Sequence, residues 1–382
     1  MSTKVKSIFK KIIKKITNRA KMLFTKPIPE KIYHINFAVT YECNSRCKHC
    51  NIWRKCKENS KIIEQELKLA EIEKVFKESK YLEYIQSIGL TGGEPFLRKD
   101  LTSLCGFFIE KFPNAALSIP TNALMPNLVI AGLEKIINTF GPENKIFLSI
   151  SLDGIGKTHD EIRGMPGNYS RVLKLIDLVK EKVPSINQGI SFTIMPQNYK
   201  DLLEVYKNSK KNDIGFGFQF AQISESFYGN TKNTFVWNEE KLDEVNEMIN
   251  LILKEYAAKE KILKKMWLSF FATNKYYISR MVSYQKNPHR MSKCYSGTHS
   301  LFIDPYGNIF PCIMLNKKFG NIREMGFDKL WLSEKSRKIR EFIKDKKCAC
   351  WTPCETHFSL ERDYKIILWN FYKTLRGYES EK

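Results

Sequence analysis

The stretch VTYECNSRCKHCNIW, residues 39–53, sets Cys43, Cys47 and Cys50 in a C-x3-C-x2-C array directly after a short apolar run. Metals held by cysteine usually take four protein ligands. Three thiols with no obvious fourth therefore describe a site with one coordination position kept open. An iron–sulfur cubane meets that description, because three thiolates occupy three iron corners and the fourth iron accepts an exogenous ligand. Taken alone, the array also suits zinc, with His49 or Cys56 completing the set. His49, however, lies beside Cys50 and would strain to reach the same ion.

Working outward, the array follows the first of a series of short β-rich runs that alternate with helical ones. IYHINFAVT (32–40), YIQSIGL (84–90), AALSIPTN (115–122), KIFLSISL (145–152), GISFTIM (189–195) and FGFQFA (216–221) read as strands. Residues 64–82, 100–112, 169–183 and 199–211 carry helical spacing between them. Six β/α units in succession predict an α/β fold, a partial (β/α)6 TIM-like barrel. Chemistry in such folds sits at the C-terminal ends of the strands, which is where the cysteine array lies. Residues 225–290 read as a helical connector. Residues 291–360 read as a small Cys-rich domain with five of the ten cysteines, and 361–382 as a helical tail.

Composition narrows the setting. No stretch approaches 18 uninterrupted apolar residues, so a transmembrane helix is not expected, and the basic N-terminus lacks the h-region of a secretory signal. A cytoplasmic location follows, and there ten cysteines are expected as metal ligands more than as disulfides. Of the formal charge of +22, nine positive charges and no acidic ones fall within residues 1–26. Val5, Ile8, Phe9, Ile12, Ile13, Ile16, Ala20 and Leu23 give residues 1–28 the spacing of a basic amphipathic helix. Such a helix suits peripheral contact with an anionic membrane or docking on its own domain. Lysine-rich composition alone is ordinary solvation, and nucleic acid is not the expected partner.

With the array in this position, the chain resembles the radical S-adenosylmethionine (SAM) superfamily, and further motifs support the resemblance. TGGEP (91–95) follows the second strand as the family's motif for the SAM amino group does, which assigns Gly92, Gly93 and Glu94. Glycines there allow close backbone approach to a ligand. PTNA (120–123) matches the strand-three motif and brings Asn122, with Ala123 where glycine is common. SISLDG (149–154) looks like the ribose and carboxylate contact, giving Ser151 and Asp153. HDEIRG (159–164) resembles the element whose arginine pairs with the SAM carboxylate, which assigns Arg163; a guanidinium fork suits a carboxylate. His49 stands where the family favours an aromatic near adenine. Singly, GGEP reads as a tight turn, Asp153 as a helix N-cap and Arg163 as a surface ion pair; their agreement in order carries the identification. The resemblance implies that a reduced 4Fe-4S cluster cleaves SAM to methionine and a 5′-deoxyadenosyl radical, which abstracts hydrogen from substrate.

CYSGTHSLFIDPYGNIFPC (294–312) and CACWTPC (348–354) resemble the SPASM and twitch auxiliary-cluster domains through C-x12-G-x4-C. The full SPASM pattern carries seven cysteines and two auxiliary clusters, whereas this region has five. The resemblance therefore implies one auxiliary 4Fe-4S cluster on Cys294, Cys312, Cys350 and Cys354, with Cys348 spare or exchanging with Cys350. The alternative is a structural zinc site. Cys105, on a helical stretch with Leu101 and Phe108, reads as packing.

A flavodoxin or ferredoxin is implied as electron donor. The substrate is not legible: a small metabolite, a lipid or glycan precursor, or a peptide. Peptide maturases often place a winged-helix leader-binding segment before the barrel, and residues 1–32 are too short for one, which favours another substrate. A non-catalytic metal-binding RNA module is the alternative from another class; it leaves GGEP and Arg163 unexplained.

Overall fold

The computed structural model describes residues 31–143, 145–263, 268–363 and 366. The expected N-terminal helix lies outside them, as does the chain beyond 366.

The first apolar run becomes β1 (His34–Thr40), buried at every position but its first. Parallel strands covered on both faces are continuous apolar runs of this kind. Next come β2 (Ser87–Gly92), β3 (Ala116–Thr121), β4 (Ile146–Ser151), β5 (Asn187–Ile194) and β6 (Gly215–Phe220), each pairing in parallel with its predecessor. Helices Leu69–Glu78, Leu101–Lys111, Asn168–Lys182 and Leu202–Lys211 stand where helical spacing places them. The expected partial TIM-like barrel is thus present, built on a parallel sheet. Three connecting helices are absent from the expected elements: the short Ile52–Glu58, Pro126–Phe140 and the short Lys157–Arg163.

The sheet does not end at β1. Strand β7 (Ser300–Ile303) pairs in parallel with it, setting Phe37 opposite Ile303, and β8 (Asn308–Phe310) and β9 (Gly320–Asn321) continue antiparallel. The order is β6-β5-β4-β3-β2-β1-β7-β8-β9. The Asp-Pro-Tyr-Gly-Asn turn between β7 and β8 is closed by Asp304, whose Oδ1 accepts from the backbone N–H of Tyr306 and Asn308 at 2.9 and 2.8 Å.

Beneath β1 an aromatic cluster fills the core. The Phe76 ring lies 5.0 Å from Phe108 and 6.5 Å from Phe37. Each such buried ring contributes about 1.5–3 kcal/mol. Cys105 is fully buried in the same layer, as packing requires.

By contact, the described residues form two compact units. One holds 31–238 and 296–348; the other holds 239–295 and 349 onward. The first contains the whole sheet. The second is helical, with Glu239–Leu263, Leu268–Ser279, Met281–Lys286 and Pro353–Leu360.

Candidate active site

Strands β1 to β4 run parallel, so their carboxyl ends share one edge, and the residues singled out from sequence follow those ends. The cysteine loop leaves β1. The Gly92-Gly93-Glu94 turn leaves β2 and is tied to that loop: Gly93 N–H donates to Thr40 O and Glu94 N–H to Glu42 O, both at 2.8 Å. A Cβ on Gly92 would stand 2.1 Å from Thr40 O, and one on Gly93 would stand 2.0 Å from Glu42 O. Their missing side chains therefore serve backbone-to-backbone contact with the cysteine loop, a different partner from the ligand that the sequence motif implies.

Glu94 is buried. Its Oε2 accepts from Asn122 N–H at 2.7 Å and its Oε1 from Phe96 N–H at 3.3 Å. Burial pushes the carboxyl up to about 7 against the lowering pull of these hydrogen bonds. Asn122, at the end of β3, donates from Nδ2 to Asn44 Oδ1 at 2.7 Å and lies 3.9 Å from Cys43 Sγ. Ala123 beside it is fully buried at φ +59°. That left-handed backbone costs about 1–2 kcal/mol for a residue with a Cβ. The buried methyl returns about 0.8 kcal/mol, so alanine is tolerated where the family favours glycine.

The cysteine loop is clamped from two directions. On one side, Arg46 N–H donates to Arg163 O at 3.0 Å and Lys48 N–H to Ile162 O at 2.8 Å. Ser45 Oγ adds a bond to Arg163 O at 3.1 Å and lies 3.2 Å from Cys47 Sγ. Gly164 ends the Lys157–Arg163 helix in the left-handed region at φ +64°, as helix C-termini commonly do. On the other side, Asn230 Nδ2 donates to His49 O at 2.7 Å and Asn233 Nδ2 to Lys48 O at 2.9 Å. These asparagines follow β6 in a polar loop whose composition reads as ordinary turn chemistry.

Arg163 is not on the surface. Its guanidinium is buried, with Nη2 2.7 Å from Asp153 Oδ2 and Nη1 3.5 Å from Cys47 Sγ. Burial alone would lower its pKa; Asp153 and the Cys47 thiol outweigh burial and raise it. Asp153 is fully buried and also accepts from Thr193 N–H at 2.6 Å, so it acts as no helix cap. Removing one partner of a buried pair like this costs about 3–5 kcal/mol. Behind it, His159 Nδ1 accepts from Asp153 N–H at 3.0 Å, and Asn198 Nδ2 donates to Asp153 O at 2.9 Å. Ser151, half-buried at the end of β4, pairs with Ser191 across the sheet.

The three thiols feel one another electrostatically. Burial, and then Cys47, raise both Cys43 and Cys50, the latter to about 12. Among the described residues no three His, Cys, Asp or Glu side chains are placed to hold a single metal ion. A cubane asks something else, three soft thiolates each on its own iron, and the donor set of this loop fits that chemistry. Buried polar atoms here that make no hydrogen bond include His49 Nδ1 and Arg163 Nε, beside Asn168 Oδ1 and Asp153 Oδ2, the last of which is ion-paired with Arg163. The first two belong to side chains that the motifs assign to SAM, so the residues present fit the cofactor. Burial drives His49 down to about 4, which keeps it neutral.

Of the later cysteines, Cys294, Cys350 and Cys354 belong to the helical unit, and Cys312 and Cys348 to the sheet unit. Within the helical unit Trp351 stacks on Tyr277 at 5.6 Å and donates from Nε1 to Tyr277 O at 2.9 Å. His357 meets the Tyr277 ring edge-on at 4.4 Å. Burial first, then the charges of Cys354 and Cys350, push the Tyr277 phenol well above its ordinary value. Burial raises Cys354 to about 12. The hydroxyls of Tyr277 and Thr352 and the Nε2 of His357 are buried without hydrogen-bond partners, a set of polar groups facing a cysteine-rich segment.

Comparison with known proteins finds two domain families along the chain. The model of the radical SAM superfamily matches residues 37–208, and that of SPASM, an iron–sulfur cluster-binding domain, matches 294–356. The AdoMet-dependent heme synthase of Methanosarcina barkeri is 24% identical over 331 residues, 80% of this chain and 84% of the relative. The subtilosin biosynthesis protein AlbA of Bacillus subtilis is 22% identical over 335 residues; the match takes in 82% of this chain and 64% of that protein. The structure of anSMEcpe with bound AdoMet and a Cp18Cys peptide superposes with a TM-score of 0.56 at 16% identity, over 90% of this chain and 98% of that one. At that identity the likeness concerns the fold alone.

Proposed function

We propose a reaction for a chain that belongs to the radical SAM superfamily and carries a SPASM domain: it cleaves SAM reductively and uses the resulting radical to abstract hydrogen from a substrate. The enzyme class and its cofactors, a SAM-binding 4Fe-4S cluster, SAM and auxiliary iron–sulfur, follow from the two domains. When bound, the first cluster supplies the single electron that the cleavage needs.

The observation that carries this reading is the gathering of Glu94, Asn122 and Arg163 against the Cys43–Cys50 loop that also carries His49, with His49 Nδ1 and Arg163 Nε lacking hydrogen-bond partners. Cys43, Cys47 and Cys50 hold the cluster. Glu94 in its ionised form receives the SAM ammonium. Arg163 Nε and Ser151 would meet its carboxylate and ribose, and neutral His49 would lie by adenine. Asp153 orients Arg163 and excludes water from its far side. Auxiliary iron–sulfur would draw on the later cysteines, Cys294, Cys350 and Cys354 of the helical unit among them. A flavodoxin or ferredoxin supplies electrons. Among the described residues no helix is long and apolar enough to cross a membrane. Peripheral contact would rest on residues 1–26.

The substrate is an organic molecule with an abstractable C–H. A tetrapyrrole carboxylate is the first to try, because relatives that align over most of this chain are named AdoMet-dependent heme synthase and Fe-coproporphyrin III synthase. A peptide is second, after AlbA. The test is anaerobic turnover with deuterated substrate. Deuterium in 5′-deoxyadenosine with an Fe-coproporphyrin and none with peptides supports the first class; the converse supports the second. No transfer from either removes both.

A further inference from the structure

In this structure Arg163 gives two of its three guanidinium nitrogens to the protein and keeps one in reserve. Nη2 is anchored by the Asp153 carboxylate at 2.7 Å, and Nη1 points at Cys47 Sγ at 3.5 Å, within hydrogen-bonding range for sulfur. Both side chains are nearly inaccessible, with Arg163 at 7% and Asp153 at 0% exposure. The anchor is itself fixed: Thr193 N–H holds Asp153 Oδ1 at 2.6 Å, and Asn198 Nδ2 and His159 Nδ1 hold its backbone. The Arg163 carbonyl is also committed, accepting from Arg46 N–H and Ser45 Oγ at 3.0 and 3.1 Å. A residue needed only to meet SAM would not require this attachment to a cysteine and its loop.

From this arrangement we infer that Arg163, braced by Asp153, is a positioning residue that sets the reduction potential of the SAM-binding cluster through a charge-assisted N–H···S bond to Cys47. The inference rests on the radical SAM reading above and assigns to Arg163 a role that operates before SAM binds. Reduction adds one electron, and hence one negative charge, to the cluster. A fixed cation beside a ligating sulfur stabilises the reduced form, and hydrogen bonds to sulfur act in the same direction. Water cannot screen the effect in a buried site as it would at the surface. The Asp153 carboxylate, paired with Nη2 while Nη1 faces the sulfur, opposes the cation while fixing its position. The two side chains therefore act with opposite signs on one potential.

The test is a potentiometric titration of the reconstituted full-length enzyme without SAM, followed by EPR. The signal of a Cys43→Ala/Cys47→Ala/Cys50→Ala variant is subtracted to remove the auxiliary contribution. Arg163→Met is expected to lower the potential enough to change the reduced-to-oxidised ratio at least tenfold, about 59 mV for a one-electron couple. Arg163→Lys, which keeps the charge, is expected to recover more than half of that shift. Asp153→Asn is expected to move the potential the other way. Opposite signs guard against a merely structural effect, because loss of packing would shift both variants alike. If Arg163→Met fails to take up iron, the lysine and asparagine variants still decide the matter. Potentials unchanged in all three, or shifted in one direction by both Arg163→Lys and Asp153→Asn, would overturn the inference while leaving the cluster itself in place. Absence of any SAM-responsive cluster in the unaltered protein would instead overturn the reading on which it rests.

Discussion

Gly164 packs directly on the backbone of Arg46: a Cβ on Gly164 would lie 2.5 Å from the Arg46 carbonyl oxygen. The end of the Lys157–Arg163 helix and the middle of the cysteine loop thus meet at a point with no room for a side chain, and that contact helps set the loop's path.

Gly164→Ala is accordingly expected to displace residues 43–50. Iron per chain should fall by about half, from the roughly eight of two cubanes, while the C-terminal cysteines keep theirs. Gly156→Ala is the control. Gly156 also has positive φ, +53°, but nothing lies within 4 Å of its added Cβ. It should lose only the backbone term, about 1–3 kcal/mol for so sparsely populated a conformation, and keep full iron. Iron analysis beside thermal denaturation distinguishes the two outcomes. Full iron in Gly164→Ala would show that the loop does not depend on this contact.

The Glu94 carboxyl, raised by burial to about 7, gives SAM binding a pH dependence. The ionised form attracts the SAM ammonium and the protonated form does not. Affinity should therefore hold above pH 7 and fall below it, by at most about tenfold per pH unit for one proton. Glu94→Gln should bind SAM weakly at every pH, with that slope removed. Equilibrium binding at pH 6, 7 and 8 checks both. An unchanged slope in the glutamine variant would assign the titration to another group.

Much of this site is written locally. Buried parallel strands are short apolar runs, so β1 to β6 lie close to where the sequence puts them, and the thiols, Glu94, Asn122 and Arg163 follow strand ends as motifs. The Pro126–Phe140 helix is absent from the sequence-derived elements although Val129, Ile130, Leu133 and Ile136 bury one face at helical spacing. What local pattern does not carry is the choice of distant partners. Nothing near Ser300–Ile303 says that it will extend the barrel sheet beside β1. Nor does a turn-like Asn230 announce that it will hold His49 O. Gly92 and Gly93 were legible as glycines that something must approach. That the approaching groups are Thr40 O and Glu42 O depends on how β1 and β2 end side by side.

Residues 1–26 carry nine positive charges and no negative ones beside an Ile/Phe stripe. Each Lys or Arg near an anionic surface contributes about 1 kcal/mol, fading within a Debye length. Sedimentation with anionic vesicles, reversed by salt, is expected, with much weaker recruitment to neutral vesicles. Deleting residues 1–26 should abolish binding yet leave iron and SAM cleavage intact. Loss of iron or solubility on deletion would mean that the segment belongs to the fold.

Production of 5′-deoxyadenosine reads out whether a cluster on the Cys43–Cys47–Cys50 loop cleaves SAM. Anaerobically reconstituted protein reduced with dithionite should release 5′-deoxyadenosine from SAM slowly even without substrate. The Cys43→Ala/Cys47→Ala/Cys50→Ala variant should release none while retaining about four irons on its C-terminal cysteines. Stoichiometric zinc in place of iron, or equal 5′-deoxyadenosine from the variant, would contradict a SAM-cleaving cluster on that loop.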